Sequence, residues 1–201
     1  MKQPQLSILI PSIPSRSERL NRLIEKLQDL IGDKHIEIVS LIDNKIKSIG
    51  EKRDNLVQLS TGKYFMFVDD DDDIVSLNSI YIATYYDVDV ITFKSECLNS
   101  SGLKYIVTHN LGNDIEHNCD DNGNYLDCKR PPFHNCAWHN KYKKFHFPFV
   151  SYGEDWGWLK QFVDKAEKEH HINEIIYKYN FSLEISEASV ESNSEWKNPN
   201  E

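Results

Sequence analysis

The stretch KYFMFVDDDDD, residues 63–73, joins a short apolar run directly to five consecutive aspartates. Residues 63–68 predict a buried strand, because a short continuous apolar run is typical of a strand that is covered on both faces. The aspartates then follow the carboxyl end of that strand, where they have little freedom to spread apart. This stretch therefore predicts an internal strand with a cluster of carboxylates at its end.

The surrounding sequence alternates strand and helix patterns through residue 95. Strands are predicted at residues 6–10, 36–42, 63–68 and 88–93. Helices are predicted from the capping box Ser15-x-x-Glu18 to Gly32, from the capping box Ser48-x-x-Glu51 to about residue 62, and over 79–86. This alternation indicates an α/β fold with a mostly parallel sheet covered on both faces, and such sheets bind ligands beyond the carboxyl ends of their strands.

Residues 96–150 differ in character, because they are polar, aromatic and rich in Asn, His and Cys. Long loops are expected there, and long loops in a compact domain are more often functional than idle. The predicted elements of this half are a strand near 103–108, a helix at 154–168 and a strand at 174–179. We expect a single domain over residues 1–185, and a loose acidic tail over 186–201 that has little to bury.

The chain has 201 residues, with 32 acidic and 23 basic side chains and a formal net charge of −9. This balance argues against nucleic acid or an anionic membrane as a partner, since such ligands usually meet a basic face. No apolar run approaches the roughly 18–20 residues of a membrane span, and the first apolar run is too short for a secretion signal. Four cysteines without a C-x-x-C pair do not describe a disulfide scaffold. We expect a cytoplasmic protein with no transmembrane segment. The high Asn, Ile and Lys content is compatible with a viral sequence, and a viral protein would act in the cytoplasm of its host.

The five aspartates favour a site for a hard divalent cation. Crowded carboxylates raise each other's pKa or require a cation, and their oxygens suit Mg²⁺, Mn²⁺ or Ca²⁺. A calcium EF-hand loop fits poorly, because Ile74 and Ile80 stand where that loop needs Gly and Glu. Ions such as Mg²⁺ are commonly shared between one or two carboxylates and substrate phosphates. The run therefore favours Mn²⁺ or Mg²⁺ bound together with a diphosphate.

A second acidic motif, Gly153-Glu154-Asp155-Trp156, stands at the predicted start of a helix. Taken alone, these carboxylates merely complement the positive end of the helix dipole. Alternatively, one of them projects into a cleft and acts as a general base.

Taken in order, these features resemble the GT-A glycosyltransferases, and within that fold the large inverting family two. The resemblance covers roughly residues 6–160 and rests on five motifs: Leu6-Ser7-Ile8-Leu9-Ile10-Pro11-Ser12, Asp43, Gly50-x-x-Arg53-Asp54-Asn55, Phe67-Val68-Asp69-Asp70-Asp71-Asp72 and Gly153-Glu154-Asp155-Trp156. It implies a GT-A (Rossmann-like) three-layer α/β/α sandwich with a central, mostly parallel mixed sheet. Residues 1–95 would bind a nucleotide-diphosphate sugar, most simply a UDP-sugar, and residues 96–185 would bind a glycan or other acceptor.

The resemblance also implies roles in donor binding. Pro11 and Ser12 would line the nucleoside pocket, Asp43 would hydrogen-bond the base, and Arg53 would lie close to Asp43. Asp70 would lie near the ribose.

In the same family, a D-x-D motif holds the metal that bridges the two phosphates. It maps to Asp69 and Asp71, with Asp71 as the metal ligand, although five aspartates leave the frame Asp70/Asp72 open. The family's E-D motif maps to Glu154 and Asp155, with Asp155 as the base that removes the acceptor hydroxyl proton. A single in-line displacement would then invert the anomeric configuration.

Aromatic residues offer faces on which an acceptor sugar could stack, and Trp138 and Trp156 are the candidates. Two other classes of function stay open. One is a phosphohydrolase with an aspartyl nucleophile, since Asp71-x-Asp73 follows a strand. The other is a non-catalytic module that binds Ca²⁺ or sugar. A zinc site among His117, Cys119, Cys128, His134, Cys136 and His139 matches no zinc-binding pattern.

Overall fold

The structure, a computed structural model, describes residues 2–98 and 102–180, so the predicted tail at 186–201 lies outside the described residues. The strands are β1 (Leu6–Ser12), β2 (Ile36–Ile42), β3 (Tyr64–Phe67), β4 (Asp73–Ile74), β5 (Val90–Leu98), β6 (Lys104–His109), β7 (Glu116–Cys119), β8 (Tyr125–Arg130), β9 (Ala137–His139) and β10 (Glu169–Asn180). The α-helices are α1 (Ser17–Ile31), α2 (Ile49–Leu59), α3 (Asn78–Ala83) and α4 (Glu154–Leu159).

The ten strands found in the described residues belong to one mixed sheet. Its main order is β2-β1-β3-β9-β5-β6-β8-β7, while β10 pairs with β5 and with the short β4. The two longest ladders, β1 with β2 and β5 with β10, are parallel, as is β1 with β3. Antiparallel pairs connect β9 to β3 and β5, and β6 to β5. Strands β1, β2 and β3 of the donor half therefore form a parallel sheet, and the acceptor half is built onto it by antiparallel pairs and by the parallel pairs β5 with β10 and β6 with β8.

The sheet is covered on both faces, which makes three layers. Leu6, Ile8 and Ile10 of β1 pack in one core with the apolar face of α1 and with α3. Leu9 points to the opposite face, where it joins α2 and an aromatic cluster that includes Trp158 of α4. This alternation is what a strand covered on both sides requires. The predicted α/β/α sandwich is confirmed.

The two predicted capping boxes had different outcomes. The Ser48 side chain accepts a hydrogen bond from the Glu51 N–H at 3.2 Å, so α2 begins where the sequence predicted. The Ser15 box was wrong, because residues 14–16 form a 3-10 turn and α1 begins at Ser17 without a side-chain cap. Pro14 explains the difference, since proline fits the first turn of a helix and here starts the tighter turn instead.

The second half contains more strands than the sequence predicted. The strand near 103–108 is confirmed as β6, but β7 and β8 were missed because their polar residues hide the strand pattern, and β9 because it has only three residues. The helix predicted over 154–168 ends at Leu159, and the strand predicted over 174–179 starts at Glu169. The helix prediction failed because the chain leaves helical geometry at Phe162, whose φ is −151°. No helix in the described part of the chain is long and apolar enough to cross a membrane.

Candidate active site

The carboxyl ends of β1, β2 and β3 bring together the residues predicted for the donor. The Ser12 hydroxyl donates to Asp70 Oδ2 at 2.6 Å, and the Asp43 N–H reaches the Ser12 carbonyl at 3.4 Å. Pro11 lies beside Ser12 in β1 and pairs with Leu41 of β2. The structure therefore brings Pro11, Ser12, Asp43 and Asp70 to one edge of the sheet.

The cation beside Asp43 is Lys52, which corrects the prediction that Arg53 lies there. The Lys52 ammonium lies 3.2 Å from Asp43 Oδ1, and the Lys47 N–H donates to Asp43 Oδ2 at 2.8 Å. Burial acts to raise the pKa of Asp43, but these two donors outweigh it and hold the pKa below its ordinary value. Sequence analysis missed Lys52 because a lysine next to Arg53 in a helix carries no distinctive signal.

Arg53 instead joins two predicted acidic motifs. Its guanidinium lies 3.0 Å from both carboxylate oxygens of Asp69, and its Nε donates to Glu154 Oε1 at 3.2 Å. It also lies over the ring of Phe67, 5.0 Å from the ring centre. Only 4% of Arg53 is exposed, and the two carboxylates raise its pKa further. A buried cation with two carboxylate partners fixes the end of β3 against the start of α4.

The five aspartates face different surroundings. Both oxygens of Asp70 are occupied, one by Ser12 and the other by the Arg16 guanidinium at 2.7 Å. Both oxygens of Asp72 are occupied too, because Tyr177 OH donates at 2.6 Å and the Asn180 N–H at 2.8 Å. Protein groups thus already bind the carboxylates of the Asp70/Asp72 frame.

In the Asp69/Asp71 frame, Asp71 is the less occupied carboxylate, because Arg53 lies 3.0 Å from both oxygens of Asp69. Asp69 has Arg53, and the ion pair described for Asp71 is with Arg16 at 3.7 Å. Burial, followed by the negative charge of Asp69, raises the pKa of Asp71 to about 6. Asp71 is therefore a carboxylate that would gain from a nearby cation.

The E-D motif lies at the N-terminus of α4, after Gly153 in the left-handed region at φ +73°. Glu154 is buried against Arg53, and burial raises its pKa, while Arg53 opposes that change. Asp155 is more exposed: its Oδ1 accepts the Trp156 N–H at 2.7 Å, and its Oδ2 lies 3.7 Å from His134 Nδ1. Burial, followed by Arg53, lowers the pKa of His134 to about 4, so this imidazole is neutral near pH 7.

A main cleft of about 580 Å³ connects the E-D motif with the strands of the acceptor half. It extends from Arg53, Asp69 and Asp155 to Tyr105 of β6 and Arg130 of β8. Sequence analysis did not single out Tyr105 or Arg130, because their approach to the motifs depends on strand pairing that the sequence does not reveal.

The predicted acceptor tryptophans are not in this cleft. Trp138 is fully buried in the aromatic core, where no sugar can reach its ring, so its predicted role is wrong. Trp156 is half-buried and packs against Phe133, with ring centres 5.6 Å apart. Phe133, and not Trp156, belongs to the cleft lining. Of these two rings, Phe133 is therefore the one that lines the cleft.

The described residues contain no cluster of three or more His, Cys, Asp or Glu side chains placed to hold a metal. Among the residues considered for zinc, the contact seen is between His117 Nδ1 and Cys128 Sγ at 3.0 Å. The described cysteines and histidines thus form no zinc site. A hard cation here would need ligands from its substrate as well as from the protein.

No protein-family model matches this chain, and no curated protein matches its sequence. The fold is similar to that of S. aureus TarS 1–349 in complex with UDP-GlcNAc, with a TM-score of 0.58 and 15% identity over 89% of this chain. The complex of TarS 1–349 with UDP gives a TM-score of 0.55 and 13% identity over 90% of this chain. This chain spans 59% and 61% of those two chains. The likeness shows the fold and confirms the predicted GT-A (Rossmann-like) class.

Proposed function

We propose that this protein is a metal-dependent, inverting glycosyltransferase that moves a sugar from a nucleotide-diphosphate sugar, most simply a UDP-sugar, to a hydroxyl of a glycan or other acceptor. The observation that carries the proposal is the bridge that Arg53 makes between Asp69 and Glu154. It joins the two acidic motifs on either side of one cleft. The likeness to TarS structures with UDP-GlcNAc and UDP supports the same ligand class.

The nucleoside would bind at the carboxyl ends of β1 and β2. Open α/β sheets bind ligands in that position, and Pro11, Ser12 and Asp43 lie there. Asp43 has a lowered pKa and is ionised near pH 7, so it can accept a hydrogen bond from the N–H of a uracil ring. Asp70, held by Ser12 and Arg16, lies between this edge and the aspartate run. Its role would be to accept from the ribose hydroxyls.

The donor set fits Mn²⁺ or Mg²⁺ because it offers hard carboxylate oxygens and too few of them for a closed protein site. Asp71 would hold the ion, since Asp69, Asp70 and Asp72 each have both oxygens against protein groups. Asp69 would assist while it shares its carboxylate with Arg53. When bound, the ion supplies Lewis-acid stabilisation of the negative charge that develops on the diphosphate.

Asp155 would act as the general base. Its partly exposed carboxylate faces the main cleft, and its Oδ1 is held by the Trp156 N–H while Oδ2 is left for an acceptor. Asp155 removes the acceptor hydroxyl proton as that oxygen forms a bond to the anomeric carbon. The bond from this carbon to the diphosphate oxygen breaks on the opposite face, and the nucleoside diphosphate leaves with the electron pair. This single displacement inverts the anomeric centre.

Glu154 has a supporting role in this scheme, although it belongs to the same motif. It is buried and binds Arg53, so it does not contact a reacting hydroxyl. It positions Arg53 and, through α4, Asp155. His134 is neutral near pH 7 and lies beside Asp155 Oδ2, where it contributes no competing positive charge.

The test separates donor binding from transfer. In thermal-shift titrations with Mn²⁺ and UDP, the wild type should gain stability from UDP only when metal is present, about 2.7 kcal/mol at a hundredfold excess over Kd. Asp71→Ala should lose this metal-dependent gain, whereas Asp155→Asn should keep it and lose about 10²- to 10⁴-fold in transfer. Asp73→Asn is the matched control, because Asp73 pairs with Lys26 at the surface.

Two results would count against the proposal. Normal transfer by Asp155→Asn would refute the assignment of the base. Stabilisation by metal alone, without any response to nucleotides, would instead support a non-catalytic metal-binding module.

A further inference from the structure

Three buried polar atoms without a hydrogen-bond partner lie on the short segment that connects β8 to β9. They are Arg130 Nε, His134 Nδ1 and Asn135 Oδ1, and none of them has a hydrogen-bond partner among the described residues, although His134 Nδ1 lies 3.7 Å from Asp155 Oδ2. All three side chains line the main cleft. We call residues 130–135 the connecting segment.

Buried polar groups in folded proteins are nearly always hydrogen-bonded, since a lost partner costs about 1–3 kcal/mol. One such atom is an isolated exception, but three on six consecutive residues facing one cleft indicate a ligand that supplies the missing partners. The guanidinium of Arg130 can only donate, and the amide oxygen of Asn135 can only accept. The ligand must therefore offer an acceptor to Arg130 and a donor to Asn135.

Arg130 also carries an uncompensated charge. None of the ion pairs found in the described ranges includes it, although the chain has nine more acidic than basic side chains. The nearby Asp72 has its oxygens occupied by Tyr177 and Asn180. His109 beside Arg130 is neutral near pH 7, because burial lowers its pKa to about 4. The guanidinium at this end of the cleft is thus free to bind an anion.

Two tyrosines at the same end provide aromatic surface. Tyr105 and Tyr125 both line the cleft, their ring centres lie 5.4 Å apart, and Tyr125 is 37% exposed. Rings of this kind pack against the apolar face of a pyranose, while its hydroxyls meet polar groups at the edge. The site therefore combines an anion-binding cation, aromatic surface and polar groups suited to hydroxyls.

We propose that the connecting segment binds an acidic sugar unit of the acceptor, with its carboxylate or phosphate on Arg130 and its hydroxyls on Asn135 and His134. This assignment rests on the proposed function, because it takes the main cleft as the acceptor site. The negative charge of the same cleft is concentrated at Asp155, because Arg53 pairs with the other two carboxylates, Asp69 and Glu154. An anionic group would be repelled there and attracted at Arg130, which orients the acceptor with its neutral hydroxyl toward Asp155.

The experiment uses the whole chain with Mn²⁺ and UDP, and NMR titrations with glucuronic acid, glucose 6-phosphate and glucose. We expect one of the two anionic sugars to bind at least tenfold more tightly than glucose, and which one does so distinguishes a carboxylate from a phosphate. Arg130→Gln should remove that preference, a roughly ten- to hundredfold loss for a charged hydrogen bond, and Arg130→Lys should keep part of it.

Lys129→Gln is the matched control, because it removes the same charge one residue away. Lys129 is exposed and pairs with Glu116, and it is absent from the cleft lining. Equal binding of all three sugars by the wild type, or loss of preference in Lys129→Gln as well, would overturn the proposal. A third result would also overturn it. If Arg130→Gln weakened the binding of UDP-glucuronic acid but not that of UDP-glucose, the anion on Arg130 would belong to the donor sugar and not to the acceptor.

Binding of UDP with Mn²⁺ is measured on the same samples. Suppose that UDP binds normally to Arg130→Gln but that the wild type shows no preference for the anionic sugars. The proposal of an acidic acceptor is then refuted, while the proposed glycosyltransferase function is unaffected. If UDP does not bind at all, the proposed function fails irrespective of the sugar titrations.

Discussion

Replacing Arg53 with Gln should lower the free energy of unfolding by about 3 kcal/mol at pH 7, because it leaves two carboxylates without their cation. Removing one partner of a buried ion pair costs about 3–5 kcal/mol. The side chain of Glu154 is only 9% exposed, whereas that of Asp69 is 26% exposed and can recover water. The cost therefore belongs mainly to Glu154 and lies at the lower end of that range. Urea denaturation followed by circular dichroism measures it.

A double-mutant cycle with Glu154→Gln tests this reasoning directly. Once Glu154 is neutral, Arg53→Gln should cost only about 1 kcal/mol, which gives a coupling energy of about 2 kcal/mol. Burial raises the pKa of Glu154, and without Arg53 no cation opposes this change, so a lower pH should protonate the unpaired carboxylate more readily and shrink the loss in Arg53→Gln. Additive effects, with a coupling below about 0.5 kcal/mol, would refute the view that Arg53 and Glu154 act as a pair.

The remaining predictions concern acid stability and one close backbone contact. The pKa of His109 falls from about 6.5 in the unfolded chain to about 4 in the fold, so its contribution to stability is present above pH 6.5 and is lost as the pH falls toward 4. When the pH is lowered from 7 to 5, the free energy of unfolding should therefore fall by about 2 kcal/mol less in His109→Gln than in the wild type. Urea titrations at the two pH values measure this difference, and equal falls would contradict the lowered pKa of His109. Ala at position 50 should destabilise the protein by about 1–3 kcal/mol, although Ala favours helices, because its Cβ would lie 1.9 Å from the Pro148 carbonyl oxygen. Thermal unfolding measures this effect, and a stability equal to that of the wild type would contradict it.

The donor half could be predicted well because its signals are local. Continuous apolar runs marked β1, β2 and β3, and the Ser48 capping box marked the start of α2. The failure at Ser15 shows the limit of such signals, since the neighbouring Pro14 favoured a tighter turn. Where a few adjacent residues determine the backbone, sequence reasoning was close to the structure.

The acceptor half could not be predicted in the same way, because its strands are fixed by distant pairing. The polar strand β7 has four exposed residues and shows no apolar alternation, and β9 is only three residues long. Trp138 carried the right chemistry for stacking on a sugar, but its burial depends on Tyr142, Trp158 and Phe162, which pack against it from later in the chain. Arg130 was overlooked because its place in the cleft depends on the pairing of β8 with β6, which no local pattern indicates.

The aspartate run was predicted correctly in its position but not in the roles of its single residues. Its position at the end of β3 followed directly from the sequence. Five identical residues, however, give no indication of which carboxylates are bound by other protein groups in the fold. That difference comes from Tyr177 and Asn180, more than 100 residues away, and from Arg16. The roles of single aspartates therefore depend on tertiary contacts that no local pattern encodes.

The short helix α4 has a consequence for how this chain can change over generations. Six residues are too few to form a helix on their own, so its geometry depends on Trp158, which stacks on Phe147 with ring centres 4.7 Å apart. A mutation of either ring would move Asp155 without altering any residue that meets substrate. Natural variation at these two buried positions should therefore be as rare as variation at Asp155, whereas exposed positions next to the helix, such as Lys160, should vary freely.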